Sequence, residues 1–329
     1  MATMREAIMN VKPARIFFRN AMPAILAMAV ASGLTAQPAA AQQKLFDTAQ
    51  AAADALIKAA EAGDTAALAE IFGAEGKELY TSGDPVQDKN QLAAFVAKAK
   101  EKMFVAADPK KATRAILTAG SDGWPMPVPI VKSNRKWHFD SKAGLEEVLR
   151  RRVGANELDA IQVCRGFVEA QKEYAILARE ATGVSQYAQR IISSPGKKDG
   201  LYWQNPDGSP GGPISEGIAK VIEEGYSVEA RSAYHGYYFK VLKGQGPAAP
   251  LGQMDYVIGG VMIGGFALIA TPAEYGVSGV QTFIVSYDGI VYQKDLGPDS
   301  LNIAKGIELY NPDKTWHSTN DGWPPDTDN

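Results

Sequence analysis

The apolar residues of this chain change their spacing along the sequence, and this change limits the folds that the chain can adopt. Near the start they recur with a helical period in three segments: Phe46–Ala62, Thr65–Phe72, and a run from Asp88 or Asn90 to about Met103. Short runs that favour strands then follow: Ala112–Ala119, Met126–Lys132 and Lys136–Asp140. The last two are joined by Ser133-Asn134-Arg135, which predicts a hairpin. Helices followed by an antiparallel sheet predict an α+β fold in which the helices pack on the sheet.

The same order of elements returns in the second half of the chain. Gly144–Arg152 and Asn156–Arg179 predict helices, the second of them long. The clearest strand patterns come later, at Tyr237–Leu242, Tyr256–Ile258, Phe266–Thr271, Thr282–Ser286 and Ile290–Lys294. Asp288-Gly289 predicts a hairpin turn between the last two, because both residues tolerate positive φ. We therefore expect two α+β subdomains, the second a long helix followed by an antiparallel meander.

These patterns divide the chain into four segments. We expect a leader at 1–41, a first subdomain at 42–154, a second at 155–310, and a tail at 311–329 that is rich in Pro, Asp and Trp. Pro- and Gly-rich stretches at 193–197 and 205–213 predict loops in the middle of the second subdomain. Trp316 and Trp323 are expected to hold the tail against the rest of the protein.

The first residues have the pattern of a cleavable secretory signal peptide. A basic start that includes Arg5 and Arg19 precedes an apolar run at 21–34, which is shorter than the roughly twenty residues of a transmembrane helix. Ala39-Ala40-Ala41 then forms an Ala-x-Ala cleavage motif before Gln42. We expect cleavage after Ala41 and a periplasmic protein without a membrane span.

Charge and cysteine content exclude some classes of function. The formal net charge is −3, and loss of the leader would remove more bases than acids. An acidic surface does not attract nucleic acid, so no nucleic-acid partner is expected. Cys164 is the only cysteine, which excludes an intrachain disulfide and a cysteine-based metal cluster. It lies beside Ala160 and Val163 on an apolar helix stripe, which predicts a buried, unreactive thiol.

The sequence motifs of common catalytic sites are absent. There is no Gly-x-Ser-x-Gly elbow, no His-Glu-x-x-His pair and no Gly-x-x-x-x-Gly-Lys phosphate loop. Ser194 and Lys197 have the spacing of the penicillin-binding-protein motif, but Pro195-Gly196 between them predicts a loop where that motif needs the start of a helix. No cofactor is expected. Enzymatic activity stays open, and a non-enzymatic role is favoured.

Histidine occurs at three positions: His138, His235 and His317. His138 and Asp140 are two residues apart on a predicted strand and therefore share one face of the sheet. With Trp137 beside them they are candidate ligand-binding residues, whereas hydrolytic zinc needs three protein ligands, so no metal site is expected. His235, in a turn before a strand, is a further candidate contact, with a structural hydrogen bond as the alternative.

The first subdomain resembles a known superfold. The sequence of residues 59–68, Ala-Ala-Glu-Ala-Gly-Asp-Thr-Ala-Ala-Leu, followed downstream by Trp137-His138-Phe139-Asp140, resembles the nuclear-transport-factor-2-like cone fold over about residues 45–153. This resemblance implies a sheet curled around helices and a cavity that serves as an active site or as a binding surface. His138 and Asp140 would face that cavity.

The second subdomain resembles the globular head of type IV pilins and pseudopilins. The residues that carry this resemblance are Gly265-Phe266-Ala267-Leu268, Pro272, Tyr275-Gly276, residues 279–283 and Asp288-Gly289. No Gly-Phe-Thr-Leu-x-Glu leader precedes the long helix, so the resemblance implies a related fold and not a pilus subunit.

The mature chain as a whole resembles one bacterial family. The similar stretches are Pro125-Met126-Pro127-Val128-Pro129, residues 152–158 (Arg-Val-Gly-Ala-Asn-Glu-Leu), Gly200-Leu201-Tyr202-Trp203, residues 235–239 (His-Gly-Tyr-Tyr-Phe) and residues 295–299 (Asp-Leu-Gly-Pro-Asp). They look like domain-of-unknown-function family 2950. This resemblance implies an exported bacterial protein and supplies no catalytic residue.

Two functions of different classes follow from these observations. The first is a non-enzymatic envelope protein that acts as an interaction module for a protein partner, through β regions rich in Tyr, Trp and Gly. The second is a small-ligand-binding protein or weak hydrolase that uses a cone-fold cavity around His138 and Asp140. A buried His138 without an adjoining cavity would count against the second.

Overall fold

The computed structural model describes residues 43–215 and 235–319. The predicted signal peptide at 1–41 and Trp323 of the predicted tail lie outside these residues. The described chain divides into two compact units, residues 43–152 and the residues from 153 onward. Both units combine helices with antiparallel sheets, so the α+β prediction is confirmed. No helix within the two described ranges is long and apolar enough to cross a membrane.

The first unit begins with helices α1 (Ala49–Ala62), α2 (Thr65–Phe72) and α3 (Pro85–Glu101), and a 3₁₀ turn precedes α3 at Ala74–Leu79. The side chains of Thr48 and Asp64 cap α1 and α2 by accepting main-chain hydrogen bonds, each at 3.0 Å. The predicted start of α1 at Phe46 is wrong. Phe46 instead exchanges main-chain hydrogen bonds with Trp137, at 2.7 and 2.8 Å, and so extends the sheet.

Helix α3 begins earlier than the predicted start at Asp88 or Asn90, so that prediction is wrong. Asp84 caps the helix by accepting hydrogen bonds from the main-chain N–H groups of Val86 and Gln87, at 2.9 and 3.2 Å. Proline at the first helical position needs no hydrogen-bond partner for its nitrogen. Asp84 and Pro85 together therefore supply a complete start signal ahead of Asp88.

The sheet of the first unit is antiparallel, with strand order β1-β2-β4-β5 and β3 paired to β2. Its strands are β1 (Met103–Asp108), β2 (Lys111–Ala119), β3 (Trp124–Pro125), β4 (Ile130–Ser133) and β5 (Lys136–Phe139). Strand β1 was not predicted. The predicted strand Met126–Lys132 is wrong for its first half, because Pro127 and Pro129 have no N–H to donate. The predicted hairpin is confirmed, with φ of 47° at Asn134 and 68° at Arg135 in the turn.

The helices and the sheet of this unit bury one apolar core. The helices contribute Leu56, Leu68 and Ile71, and the strands contribute Leu117, Ile130 and Phe139. Each of these side chains is at most 2% exposed. This packing holds α1 and α2 against the sheet.

Helix α4 (Ser141–Thr182) is continuous over 42 residues. The predictions of separate helices at Gly144–Arg152 and Asn156–Arg179 are therefore wrong about the break between them. One glycine inside a helix costs only about 1 kcal/mol relative to alanine, so Gly154 does not interrupt it. The division between the two units falls within this helix.

The second unit is built around an antiparallel sheet with strand order β18-β16-β15-β14-β9. The elements after α4 are β6 (Arg190–Ile192), β7 (Gly200–Gln204), β8 (Pro210–Gly211), β9 (Tyr237–Leu242), β10 (Gly244–Gln245), β11 (Met254–Asp255), β12 (Val257–Ile258), β13 (Val261–Met262), β14 (Ala267–Pro272), β15 (Gln281–Ser286), β16 (Tyr292–Asp295), α5 (Ser300–Gly306), β17 (Leu309–Tyr310) and β18 (His317–Ser318). Strands β6 and β7 pair in parallel, as do β10 and β17, which the sequence patterns did not predict.

The second core contains the apolar side of α4 and the inner face of this sheet. Phe167 of α4 meets Phe266 edge to face, with 5.8 Å between ring centroids. Cys164 is buried in the same core, as predicted, and burial raises the pKa of its thiol to about 12. Trp316 of the tail packs against this core, and His317 beside it pairs with Gln293 of β16.

Candidate functional site

The predicted residues Trp137, His138 and Asp140 lie where β5 leads into α4. The Nδ1 atom of His138 lies 3.4 Å from Oγ of Ser133 on the other strand of the hairpin. Asp140 accepts a hydrogen bond from the main-chain N–H of Ala143 at 3.0 Å and so caps the first turn of α4. Both side chains therefore have local partners.

His235 belongs to the second unit, whereas the other three predicted residues belong to the first. Its Nδ1 atom is hydrogen-bonded to the carboxylate of Asp159 on α4. The residue has a φ of 47°, in the turn before β9. This contact holds the entry to β9 against α4, which is the structural role that the sequence left open.

The first unit has an open groove between α1 and α3, which we call the α1–α3 groove. Its apolar wall consists of Ala60, Tyr80, Leu92, Ala93, Val96 and Ala97, and its volume is about 760 Å³. Glu61, Asp88, Lys89 and Lys100 supply charge around it. A mostly apolar concave surface with a few polar groups is the usual character of a small-molecule site.

An apolar cavity of about 50 Å³ adjoins the α1–α3 groove. Ala60, Tyr80, Asp88 and Leu92 line both spaces. Apart from Gln91, the rest of the cavity lining is aromatic and aliphatic: Leu56, Leu68, Phe72, Leu79, Phe95, Trp124 and Met126. His138 and Asp140 do not line this cavity or the groove.

Asp88 holds the loop that closes one end of the groove. It accepts hydrogen bonds from the N–H and hydroxyl of Ser82, at 2.8 and 2.6 Å, and from the hydroxyl of Thr81 at 2.8 Å. Burial raises the pKa of Asp88, but the hydrogen bonds from Ser82 and Thr81 outweigh burial and leave the pKa below its usual value. The carboxylate of Asp88 is therefore already hydrogen-bonded within the protein.

The two lysines of the groove differ in their partners. Lys100 forms an ion pair with Glu61, at 2.9 Å between Nζ and Oε1. Lys89 has no ion-pair partner among the residues that the structure describes. One unpaired ammonium group thus stands at the edge of an apolar surface, a combination suited to an apolar chain with an anionic end.

The sequence of α3 contains a signal for this groove outside any catalytic motif. In α3, all of which is described, Ala99 is the one buried residue. Leu92, Phe95 and Val96 are only partly covered although they have the spacing of a helix face that normally packs on a core. A helical stripe of this kind next to small, exposed alanines indicates a face that is not fully packed within the chain.

Within residues 43–215 and 235–319, no group of three or more His, Cys, Asp or Glu side chains is arranged to hold a metal ion.

No curated protein and no solved structure matches the chain. The resemblances to the cone fold and to the pilin head therefore stay predictions. Residues 43–319 match the profile of the family described as "Protein of unknown function (DUF2950)". Because this match covers most of the sequence, the chain belongs to that family.

Proposed function

We propose that this chain is an exported, non-enzymatic binding protein of the bacterial envelope, and that its α1–α3 groove binds a small amphiphile by the apolar chain. The single observation that carries this proposal is the apolar groove with an apolar cavity that shares four of its lining residues. Export is supported by the signal-peptide pattern of residues 1–41 and its Ala39-Ala40-Ala41 motif.

The volumes of the groove and of the cavity favour a ligand with an extended alkyl chain over one with a ring. Small-molecule pockets occupy about 300–1,000 Å³, and the groove, at about 760 Å³, falls in that range. The adjoining cavity, at about 50 Å³, is well below the ~150 Å³ of an apolar cavity that admits benzene. It therefore accepts the tip of an alkyl chain, whose remaining methylenes lie along Leu92 and Val96. Each methylene removed from water contributes about 0.8 kcal/mol.

The charges favour an anionic end on that chain. Asp88 and Glu61 are engaged by partners within the unit, and Lys89 is left to interact with a ligand. A carboxylate beside an ammonium group at the protein surface contributes little affinity alone but selects the sign of the head group. A fatty acid of intermediate length combines the two requirements.

The proposal is tested by isothermal titration of the mature protein with dodecanoate. In the double variant Ala93→Glu, Ala97→Glu, two negatively charged side chains enter the groove one turn apart on α3, and glutamate preserves the helix. Ala94→Glu is the matched control, because Ala94 is exposed on the same helix and does not line the groove. We expect saturable binding that the double variant weakens at least tenfold and the control leaves unchanged.

Two outcomes would contradict the proposal. One is the absence of saturable dodecanoate binding by a protein with the circular dichroism spectrum of a folded α+β chain. The other is equal binding by the double variant and the control. Dodecanol in place of dodecanoate, and Lys89→Gln, test the head group: both changes should weaken binding by a few fold.

A protein partner is the second candidate occupant of the groove. It is favoured by Val86, which is 70% exposed on the same helix. If an apolar helix of an envelope protein is the occupant, dodecanoate will bind weakly, and in-cell crosslinking from position 93 will give a defined adduct that the same crosslinker at position 94 does not give.

Export is tested on the protein purified from the periplasm of its own host. We expect the mature chain to start at Gln42 by intact mass. A chain that retains Met1 and fractionates with the cytoplasm would contradict export and leave the groove assignment untouched.

A further inference from the structure

The second unit contains a polar cleft that is separate from the α1–α3 groove. Its volume is about 550 Å³, and its walls include Tyr174 of α4, Gln189 and Arg190 at the start of β6, and Lys243 after β9. The loop between β6 and β7 adds Lys197, Lys198 and Asp199. We call it the cationic cleft, because four of its lining side chains are basic and one is acidic.

Asp199 is used to shape this loop. Its carboxylate accepts hydrogen bonds from the N–H and hydroxyl of Ser194, at 2.7 and 2.8 Å, and lies 3.9 Å from Nε of Arg190. Burial raises the pKa of Asp199, but the hydrogen bonds from Ser194 and the charge of Arg190 outweigh burial and leave the pKa below its usual value. Asp199 therefore stays ionised and holds the loop that presents Lys197 and Lys198.

Further contacts fix the walls of the cleft. The hydroxyl of Tyr174 donates a hydrogen bond to the carbonyl of Lys198. The ammonium of Lys198 lies over the ring of Trp203, 5.2 Å from its centroid. On the other side Gln189 donates from Nε2 to the carbonyl of Gly260 at 2.7 Å. The main chain around the cleft is thus held in place before any ligand binds.

Three of the four basic groups of this cleft lack anionic partners, and Arg190 shares Asp199 with the loop. In the described part of the chain, no carboxylate lies within ion-pair distance of Lys197, Lys198 or Lys243. Together with Arg190 they give the lining an excess of three positive charges in a chain whose net charge is −3. Like charges gathered in a concavity repel one another and attract a counter-ion of matching valence.

We propose that the cationic cleft binds a small soluble anion that carries two or more phosphoryl groups. Lysine acts on phosphate as a point charge from any direction, whereas a single carboxylate is better matched by the planar fork of arginine. A phosphoryl group carries about −1.5 to −2 at pH 7, so two of them balance the excess charge of the lining. This binding site is independent of the amphiphile proposed for the first unit.

The experiment is a calorimetric titration of the mature protein with inorganic diphosphate, without added divalent cations. The test variant is Lys197→Gln, Lys243→Gln, which removes one charge of the β6–β7 loop and one that follows β9. Lys305→Gln is the matched control, because Lys305 is an exposed lysine of the same unit that does not line the cleft. We expect one-to-one binding that weakens at least tenfold in the double variant and stays within twofold in the control.

Three results would overturn the proposal. They are no saturable binding of diphosphate by the folded protein, equal loss of binding in the double variant and the control, and citrate binding as tightly as diphosphate. Binding should also weaken as sodium chloride is raised, because the attraction between exposed charges is screened.

A phosphate-bearing lipid head group has the same chemistry, and a second arm separates the two sources. The protein is sedimented with vesicles of phosphatidylglycerol and phosphatidylcholine. If the ligand is a soluble anion, the protein will not sediment with the vesicles. If the protein sediments with the vesicles and diphosphate abolishes this, the ligand is a lipid head group and the soluble-anion proposal is overturned.

Discussion

The side chain of Gln171 makes two hydrogen bonds with the main chain of Ala188. Nε2 of Gln171 donates to the Ala188 carbonyl at 2.8 Å, and Oε1 accepts from the Ala188 N–H at 2.8 Å. Both residues are fully buried, so this pair satisfies two main-chain groups that water cannot reach. An amide side chain of α4 thus takes the place of a neighbouring strand for the segment that leads into β6.

We expect Gln171→Leu to destabilise the protein by at least about 2 kcal/mol, because it leaves a buried donor and a buried acceptor without partners. Chemical denaturation measures this loss. Lys172→Leu is the control on the exposed side of the helix, where removal of the ion pair with Glu169 changes stability by at most about 0.5 kcal/mol. Equal effects of the two variants would contradict the role of Gln171.

Two glycines of helix α4 should respond in opposite directions to alanine. A Cβ at Gly154 would have no heavy atom within 4 Å, whereas a Cβ at Gly144 would lie 2.7 Å from Cγ2 of Val128. Gly154→Ala should therefore stabilise the protein by about 0.5–1 kcal/mol, as expected inside a continuous helix. Gly144→Ala should destabilise it by about 1–3 kcal/mol through overpacking. Loss of stability from Gly154→Ala would indicate that the helix is broken there.

The hairpin between β4 and β5 contains a residue in an unfavourable conformation. Arg135 has a φ of 68°, which places a side chain where glycine is preferred. Arg135→Gly should raise the free energy of unfolding by about 1 kcal/mol, because the left-handed conformation costs roughly that for other residues. Arg135→Ala keeps the Cβ atom and should give no gain. A gain from both variants would assign the effect to loss of the arginine charge.

The pH dependence of stability should show the contribution of Asp88. Its pKa is below the usual value in the folded protein, since the hydrogen bonds from Ser82 and Thr81 outweigh the effect of burial. The stabilisation is therefore present above the unfolded-state pKa of about 4 and is lost as the pH falls through the lower, folded-state pKa. Asp88→Asn should flatten the acid side of the curve of melting temperature against pH.

Ser82→Ala is the companion variant for that measurement. It removes the hydroxyl that donates to Asp88 at 2.6 Å but leaves the N–H of residue 82 in place. On the acid side of the curve of melting temperature against pH, we expect a slope between those of the wild type and Asp88→Asn. The same slope in all three proteins would show that Asp88 does not contribute to the pH dependence.

Much of the local structure could be predicted from the sequence, because the signals for it lie within a few residues. Asp64 caps α2 from the position next to Gly63, and the period of Thr65–Phe72 gives that helix its full extent. Strand β9 has the predicted bounds Tyr237–Leu242. The burial of Cys164 followed from the apolar stripe around it.

Two of the misplaced boundaries have causes that the local pattern does not contain. The residues that follow Phe46 have a helical pattern, but the main chain of Phe46 pairs with that of Trp137, far along the sequence. The sequence around Gly154 predicted a break between two helices, yet α4 is continuous through this residue. Competition between a weak local preference and a distant contact cannot be evaluated from one segment at a time.

The sequence by itself determined the family, the α+β class, the cap of α2 and the antiparallel pairing of the two predicted hairpins, because capping, turn residues and apolar period are properties of neighbouring residues. Tertiary structure alone decided where the two proposed binding surfaces lie. The groove requires α3 to pack loosely beside α1, and the cationic cleft requires Lys197 and Lys243 to meet from distant parts of the chain. Each of these surfaces depends on side chains that are distant in sequence, so only the packing of whole elements brings them together.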